Sequence, residues 1–433
     1  MAALAATGWS LATPSNATDG YFQHGYGLIA KGMGGASTAV AADTFGGATN
    51  PAKMAFVGDR LDLGVDLFMP QRSASRTGSA AGLDGAADSD STLFFIPEFG
   101  YNKLIRSDLA LGVSVYGNGG MNTDYPGGQL PAASACAGFN PTAGPYNLLC
   151  GNGRLGVDLT QLIVAPTLSY KLSDHHAIGI APLVGVQQFS IEGAQAFAGF
   201  SNSPADVSNR GRDTSYGFGV RIGWFGQITE ALSLGAAYST KVYMTEFDKY
   251  QGLFAEEGDF DLPENFNVGL AFRITPKLLV AADYQRINYS GVKAVGNPSS
   301  NLLACAGGDA AACLGGSNGA GFGWADVNVW KLGVQYQVND RLALRGGYNH
   351  SDNPIDAKDV TINILAPGVV QDHVTLGLSY AVGKSGELTV SYMHAFENSV
   401  TGASFFNNFG VPAGSETIKM QQDAIGVAYA WKL

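Results

Sequence analysis

The last ten residues read Ala424-Ile425-Gly426-Val427-Ala428-Tyr429-Ala430-Trp431-Lys432-Leu433. Ile425, Val427, Tyr429, Trp431 and Leu433 are large and apolar, and between them only Lys432 is not small. A period of two places the bulky set on one face of a β-strand and the small set on the other. The pattern recurs upstream. Tyr216, Phe218, Val220, Ile222 and Trp224 oppose Ser215, Gly217, Gly219, Arg221 and Gly223, and Trp330, Leu332, Val334 and Tyr336 oppose Lys331, Gly333, Gln335 and Gln337. A soluble β-sandwich would show shorter strands and more charge on the outer face. Bulky apolar faces backed by glycine and small polar residues instead predict an all-β chain, a transmembrane antiparallel β-barrel.

Composition agrees. Only 14% of the 433 residues are charged and 59 are glycine, against roughly 25% charged in an average soluble protein. A lipid-facing belt around a lumen of small polar residues explains both numbers. The net charge of −11, from 25 basic and 36 acidic residues, argues against nucleic acid, which selects basic surfaces. No stretch is apolar for long enough to form a spanning helix.

The strands number about fourteen, an even number as bacterial single-chain barrels have. Short turns such as Thr229-Glu230, Thr275-Pro276 and Asn339-Asp340 alternate with long loops at 73–90, 119–153, 192–212, 247–262, 293–325, 353–370 and 397–416. Short periplasmic turns and long external loops are what a barrel in the outer membrane of a Gram-negative cell requires. Tyr170, Tyr238, Tyr284, Tyr336, Tyr348, Tyr380 and Trp431 fall near strand ends, where an interfacial girdle places aromatics. Pro97 cannot donate to a ladder, so a bulge or local break is expected there. The third strand runs into Tyr116, Gly117, Asn118, Gly119 and Gly120, which would weaken any strand.

Residues 1–17 read as the tail of a secretory signal. Residues 18–59 are rich in Gly and Ala without strand periodicity and read as a compact plug, or hatch, with a short helix starting at 37–42. Residues 60–433 are then the barrel. Cys136/Cys150 and Cys305/Cys313 fall as two close pairs within loops, and in an exported protein they read as two local disulfides. The alternative, a metal site, lacks tight Cys-x-x-Cys spacing and nearby histidines.

No motif points to catalysis. The run from Gly25 to Gly35 has no preceding strand and no following Lys-Ser/Thr, so it is no phosphate loop. Six scattered histidines sit at no metal spacing and no Gly-x-Ser-x-Gly elbow occurs. Neither an enzyme nor a cofactor is expected. More informative are two apolar patches in loops that should be wet: Ala194, Ala196, Phe197 and Phe200, and Phe247, Tyr250, Leu253 and Phe254 at helical spacing. Two short amphipathic helices there would form a groove for a greasy ligand.

With these features in order, the chain resembles the FadL-type family of outer-membrane channels for long-chain fatty acids and hydrocarbons. The matching residues are Gly20 to Gly27, Gly32-Met33-Gly34-Gly35-Ala36, Asp43 and Asn50-Pro51-Ala52 in the hatch. Ile96-Pro97, Leu262-Pro263-Glu264, Asp352-Asn353-Pro354-Ile355 and Ser391-Tyr392-Met393-His394 match in the wall. The resemblance implies a fourteen-stranded barrel closed by the hatch, which Asn50, Pro51 and Ala52 would anchor. Ligand would be held by Phe197, Phe200, Phe247, Tyr250, Leu253 and Phe254. Tyr21 and Phe22 would contact it and move on binding. Release would be sideways through a gap at Tyr116, Gly117, Asn118, Gly119 and Gly120. The loop between strands five and six is short for an acyl carrier and the cysteine staples are extra, so a smaller hydrophobic substrate fits as well.

The expected function is therefore passive uptake of long-chain fatty acids, alkanes or aromatic hydrocarbons by a monomer in contact with outer-membrane lipid and lipopolysaccharide. Sideways release has its own physical reason. Each CH₂ taken from water is worth about 0.8 kcal/mol, so an aqueous lumen rejects such solutes and a gap facing hydrocarbon accepts them. The alternatives are a general porin for polar solutes and a structural or adhesive barrel.

Overall fold

The computed structural model describes residues 19–433; the signal-type segment at 1–17 lies outside them. Sixteen strands form one antiparallel sheet, of which Gly85–Asp88 and Tyr243–Met244 are short ribbons on the rim. The other fourteen are β1 (Arg60–Thr77), β2 (Phe94–Arg106), β3 (Leu109–Tyr125), β4 (Leu155–Lys171), β5 (His176–Glu192), β6 (Asp213–Gln227) and β7 (Leu232–Ser239). They continue as β8 (Asn265–Thr275), β9 (Leu278–Ile287), β10 (Val327–Gln337), β11 (Leu342–Ser351), β12 (Asp372–Val382), β13 (Gly386–Ala403) and β14 (Ser415–Lys432). Each pairs with its neighbour in sequence, and β14 pairs with β1 from Arg60↔Lys432 to Thr77↔Ser415, closing the ring. A closed ring leaves no sheet edge to hydrocarbon, which cannot satisfy backbone polar groups.

The faces follow the alternation. On β14, Ile425 and Val427 are 42% and 45% exposed while Ala424 and Ala430 are buried. Tyr216, Tyr238, Trp330 and Tyr348 face outward near one end of the wall and Tyr170, Tyr336 and Tyr380 near the other, two girdles. Several strands run further than their apolar periodicity predicts. β1 extends to Thr77, β3 to Tyr125 and β13 to Ala403, so the loops after them are shorter than expected. The ladder of β2 on β1 passes through Pro97 with no register shift. No bulge forms, because pairing is lost on the opposite edge of β2.

Residues 19–59 fill the lumen and are nearly all buried. Their one α-helical turn is Leu28–Lys31 rather than 37–42, followed by 3₁₀ turns at Phe45–Ala48 and Pro51–Phe56. A belt of inward-facing wall glycines makes room for this hatch. A Cβ on Gly223 would lie 2.2 Å from Asn50 Oδ1, and one on Gly347 would lie 2.1 Å from the Gly34 nitrogen. Much of the glycine in this chain is thus wall backbone on which hatch backbone rests directly.

Candidate functional site: roof cavity, wall window and hatch

The long loops fold over the open end as an apolar roof. Phe197 lies in the 3₁₀ turn Gln195–Phe200, and Leu253 and Phe254 precede the turn Ala255–Gly258. With the inward side chains of Val157, Phe189 and Ile191 they enclose a cavity of about 30 Å³. Ala194, Ala294, Leu314, Ala320, Gly321, Phe322, Ile362 and Leu365 complete a lining without a single polar side chain. An apolar cavity of about 150 Å³ is what holds a benzene ring, so a ring of that size must push these side chains aside.

Of the six groove residues read from the sequence, Phe197, Leu253 and Phe254 line the cavity and Phe200, Phe247 and Tyr250 stand behind it. Phe247 and Tyr250 pack on Phe189 with ring centroids 5.6 and 4.9 Å away. The Tyr250 hydroxyl donates to the Gly211 carbonyl at 2.7 Å. Phe200 packs on Phe409 at 5.4 Å. The expected amphipathic helix over 247–254 does not form. The segment makes two short turns, Asp248–Tyr250 and Ala255–Gly258, because Phe254 between them takes extended backbone at φ −81° and ψ 147°, which no helix continues through; Glu256 and Glu257 then adopt left-handed φ of 58° and 60°. Their amides donate to the carbonyls of Gly316 and Gly315. Phe189, Ile191 and Val157 carry no separate sequence signal, because on a strand they look like wall residues.

The cysteines form two disulfides, Cys136–Cys150 and Cys305–Cys313, which removes the metal alternative for them. Among the described residues no group of three or more His, Cys, Asp or Glu is arranged to hold a metal ion. In the roof, burial and the neighbouring Asp261 push the Asp259 carboxyl up to about 7, and burial likewise raises Asp261.

Below the roof the wall has a window. β2 and β3 pair only from Phe99↔Val115 down to the short turn. Above, it is the segment leading into β2 that meets β3, where the Asp90 amide donates to the Asp124 carbonyl at 2.8 Å. Between these ties β3 bulges at Asn118, with Gly117 opposite Leu162 and Gly119 opposite Gln161 on β4. The hatch supplies the partners that β2 does not. The Gly120 amide donates to the Tyr21 carbonyl at 3.2 Å, the Gln23 amide to the Asn118 carbonyl at 3.3 Å, and Phe22 forms an antiparallel bridge with Gly119. The Gln23 side-chain amide donates to the Gly117 carbonyl at 2.6 Å and the Tyr26 hydroxyl to the Asn118 carbonyl at 3.0 Å. A Cβ on Gly119 would lie 1.8 Å from the Tyr21 carbonyl oxygen, so only glycine permits the contact. Tyr116 packs edge-on against Tyr26 at 4.7 Å. Tyr21 and Phe22 thus stand at the window, not in the cavity lining.

Side chains lock the hatch to the wall. The Asn50 amide group donates to the carbonyls of Thr38 and Trp224 at 3.0 and 2.8 Å, while its oxygen accepts the Ala52 amide. Pro51 opens the turn that follows, and the Ala52 carbonyl accepts from Ser169 at 2.7 Å. Asp283 accepts from the amides of Ser37 and Thr38. The buried Lys31 pairs with Asp66 at 2.8 Å. Burial pushes the Asp19 carboxyl up to about 6 despite Lys331 at 3.5 Å.

A closed barrel, an internal hatch that patches its own wall, and an apolar cavity under folded loops define an outer-membrane transport barrel. The family model of outer membrane protein transport proteins (OMPP1/FadL/TodX) matches residues 147–430, and the chain belongs to that family. No curated protein sequence matches it. The Pseudomonas putida toluene transporter TodX superposes with a TM-score of 0.66 at 18% identity, over 95% of this chain and 99% of that one. The Ralstonia pickettii toluene transporter TbuX gives 0.62 at 17%, over 94% and 98%. A Pseudomonas aeruginosa FadL homologue gives 0.65 at 13%, over 98% and 99%. The family and these neighbours are transport proteins, not enzymes.

Proposed function

We propose that this protein is a passive outer-membrane uptake channel for small uncharged hydrophobic compounds, taken up through the roof cavity and released sideways into the membrane through the β2–β3 window. The observation that carries the reading is the pairing of the two features. An all-apolar cavity lies above a place where the wall is completed by hatch backbone rather than by a neighbouring strand. The absence of any cation in the lining favours a neutral hydrocarbon over a fatty acid, since a buried carboxylate without a partner costs several kcal/mol. Two neighbours carry toluene in their names, and a single ring suits a small cavity. Asn50, Pro51 and Ala52 serve as the hatch anchor. Tyr21 and Phe22 move aside when ligand passes. Every part lies within one chain, so a monomer suffices.

The test is Gly119→Val, alone and with Gly120→Val. The valine drives against the Tyr21 carbonyl and fixes the window in a different geometry. The expectation is loss of toluene uptake in cells, with a barrel that still shows heat-modifiable mobility on gels. Wild-type uptake in that variant would refute the exit route.

A further inference from the structure

Residues 19–23 seal the window, and two side chains from the opposite wall hold them there: Lys331 pairs with the Asp19 carboxylate at 3.5 Å, and Tyr289 takes the backbone. Tyr289 opens the β9–β10 loop and is fully buried. Its hydroxyl accepts the amides of Tyr21 and Phe22 at 3.1 and 3.3 Å and donates to the Asp19 carbonyl at 2.5 Å. A phenol has one hydrogen to give and two sites to accept, so its whole capacity goes to the N-terminal segment. The ring packs on Tyr21 and Phe22 with centroids 5.0 and 5.9 Å away. Gly20 passes beneath it at φ +68°, where a Cβ would lie 2.7 Å from the ring.

The same residue is linked to the roof cavity through its neighbours. Ala294, five residues on, lines the cavity. Trp324 stands edge-on to Tyr289 at 5.3 Å and reaches the cavity-lining Phe322 at 6.3 Å. A second aromatic line runs from the cavity-lining Phe254 to Phe260 at 4.9 Å and on to Tyr21 at 6.3 Å. A ring entering a cavity of about 30 Å³ must displace its walls, and both lines end on the sealed segment.

We propose that Tyr289 is a positioning residue: its hydroxyl latches residues 19–22 across the window, and displacement of the cavity wall by ligand releases the latch. The proposal rests on the sideways-release reading and adds to it the residue that couples cavity to window.

The experiment is amide hydrogen exchange on the full chain in nanodiscs, comparing wild type with Tyr289→Phe and Trp324→Phe. Tyr21 and Phe22 lose an acceptor in Tyr289→Phe and exchange faster whatever its role. The deciding amide is Gly120, whose partner is the Tyr21 carbonyl and not Tyr289. The latch predicts about tenfold faster Gly120 exchange in Tyr289→Phe without ligand, approaching wild type saturated with toluene. It predicts near-wild-type protection in Trp324→Phe, which keeps the hydroxyl. Unchanged Gly120 exchange in Tyr289→Phe, or equal loss of protection in both variants, overturns it. The exit route fails separately: normal uptake by Gly119→Val removes the route and leaves the Gly120 result for the latch standing.

Discussion

Leu253 shows what a single side chain contributes to the roof. It is half-buried at the cavity edge, so changing it disturbs little packing. Leu253→Asp puts a carboxylate into a lining with no partner for it. An unpaired buried carboxylate raises its own pKa and resists desolvation. Toluene affinity of the purified variant should fall by about tenfold at pH 8 and recover in large part at pH 5, where the acid binds a proton. Unchanged affinity at both values, measured by calorimetry, would place the ligand elsewhere. At this scale the sequence was half legible. Phe197, Leu253 and Phe254 stood out because aromatics in an external loop need a reason. Phe189 and Ile191 did not, because an apolar residue on a strand reads as wall unless its side of the wall is known. Tyr289 was invisible for a different reason. A tyrosine has no pattern of its own, and its three partners lie some 270 residues away.

At the scale of elements, the strands were legible where they touch lipid and misread where they leave it. On β4 the bulky residues Leu162, Leu168 and Tyr170 face outward in the lower part. Higher up, Leu155, Val157 and Leu159 are buried inside, and Asp158 and Thr160 take the outer face. The period of two continues, but its bulky phase inverts at the membrane boundary because the outer face meets water and the inner face meets the roof. That inversion, read as strand ends, made the loops look longer than they are. The stapled loop gives an element-level prediction. Cys305–Cys313 precedes Leu314, whose amide donates to the Phe200 carbonyl at 2.9 Å and which lines the cavity. A staple of this span limits the unfolded loop by about 2–3 kcal/mol. Replacing both cysteines by serine should weaken toluene binding severalfold while barrel mobility on gels stays native; unchanged binding would make the staple irrelevant to the cavity.

The neighbouring acidic turn is sensitive to pH. Asp259 is raised to about 7 by burial and by Asp261, with Glu256 adding to the field and Lys241 opposing it. A carboxyl raised by folding holds its proton in the folded loop after the open chain has lost it. The stabilisation is therefore complete below about pH 4 and lost as pH rises through about 7. Protease cleavage within residues 246–262 should be slower at pH 5 than at pH 8, and Asp259→Asn should remove much of that difference. Equal cleavage rates at the two values in wild type, after correction for protease activity, would contradict the burial of this acid.

For the whole molecule the question is whether the lumen conducts. A general porin has an open lumen lined by charged side chains. Here residues 19–59 occupy it and are bonded to strands on opposite sides of the ring, through Asp62 on β1, Asn102 on β2, Trp224 on β6 and Asp283 on β9. The inward glycine belt brings wall and hatch backbones into contact and leaves little room for an ion to pass between them. Removing any one bond costs about 1–3 kcal/mol, too little to expel a segment fixed at so many points. Asn50→Ala should therefore leave the barrel tight in planar bilayers. Deleting residues 19–59 should convert it to a steady ohmic pore, because the remaining strands still close from β14 onto β1 around a polar interior and only the β2–β3 window is left unpatched. A wild-type chain that carries steady current with its hatch intact would end the transporter reading, and a hatchless chain that stays silent would show that the roof loops alone seal the barrel.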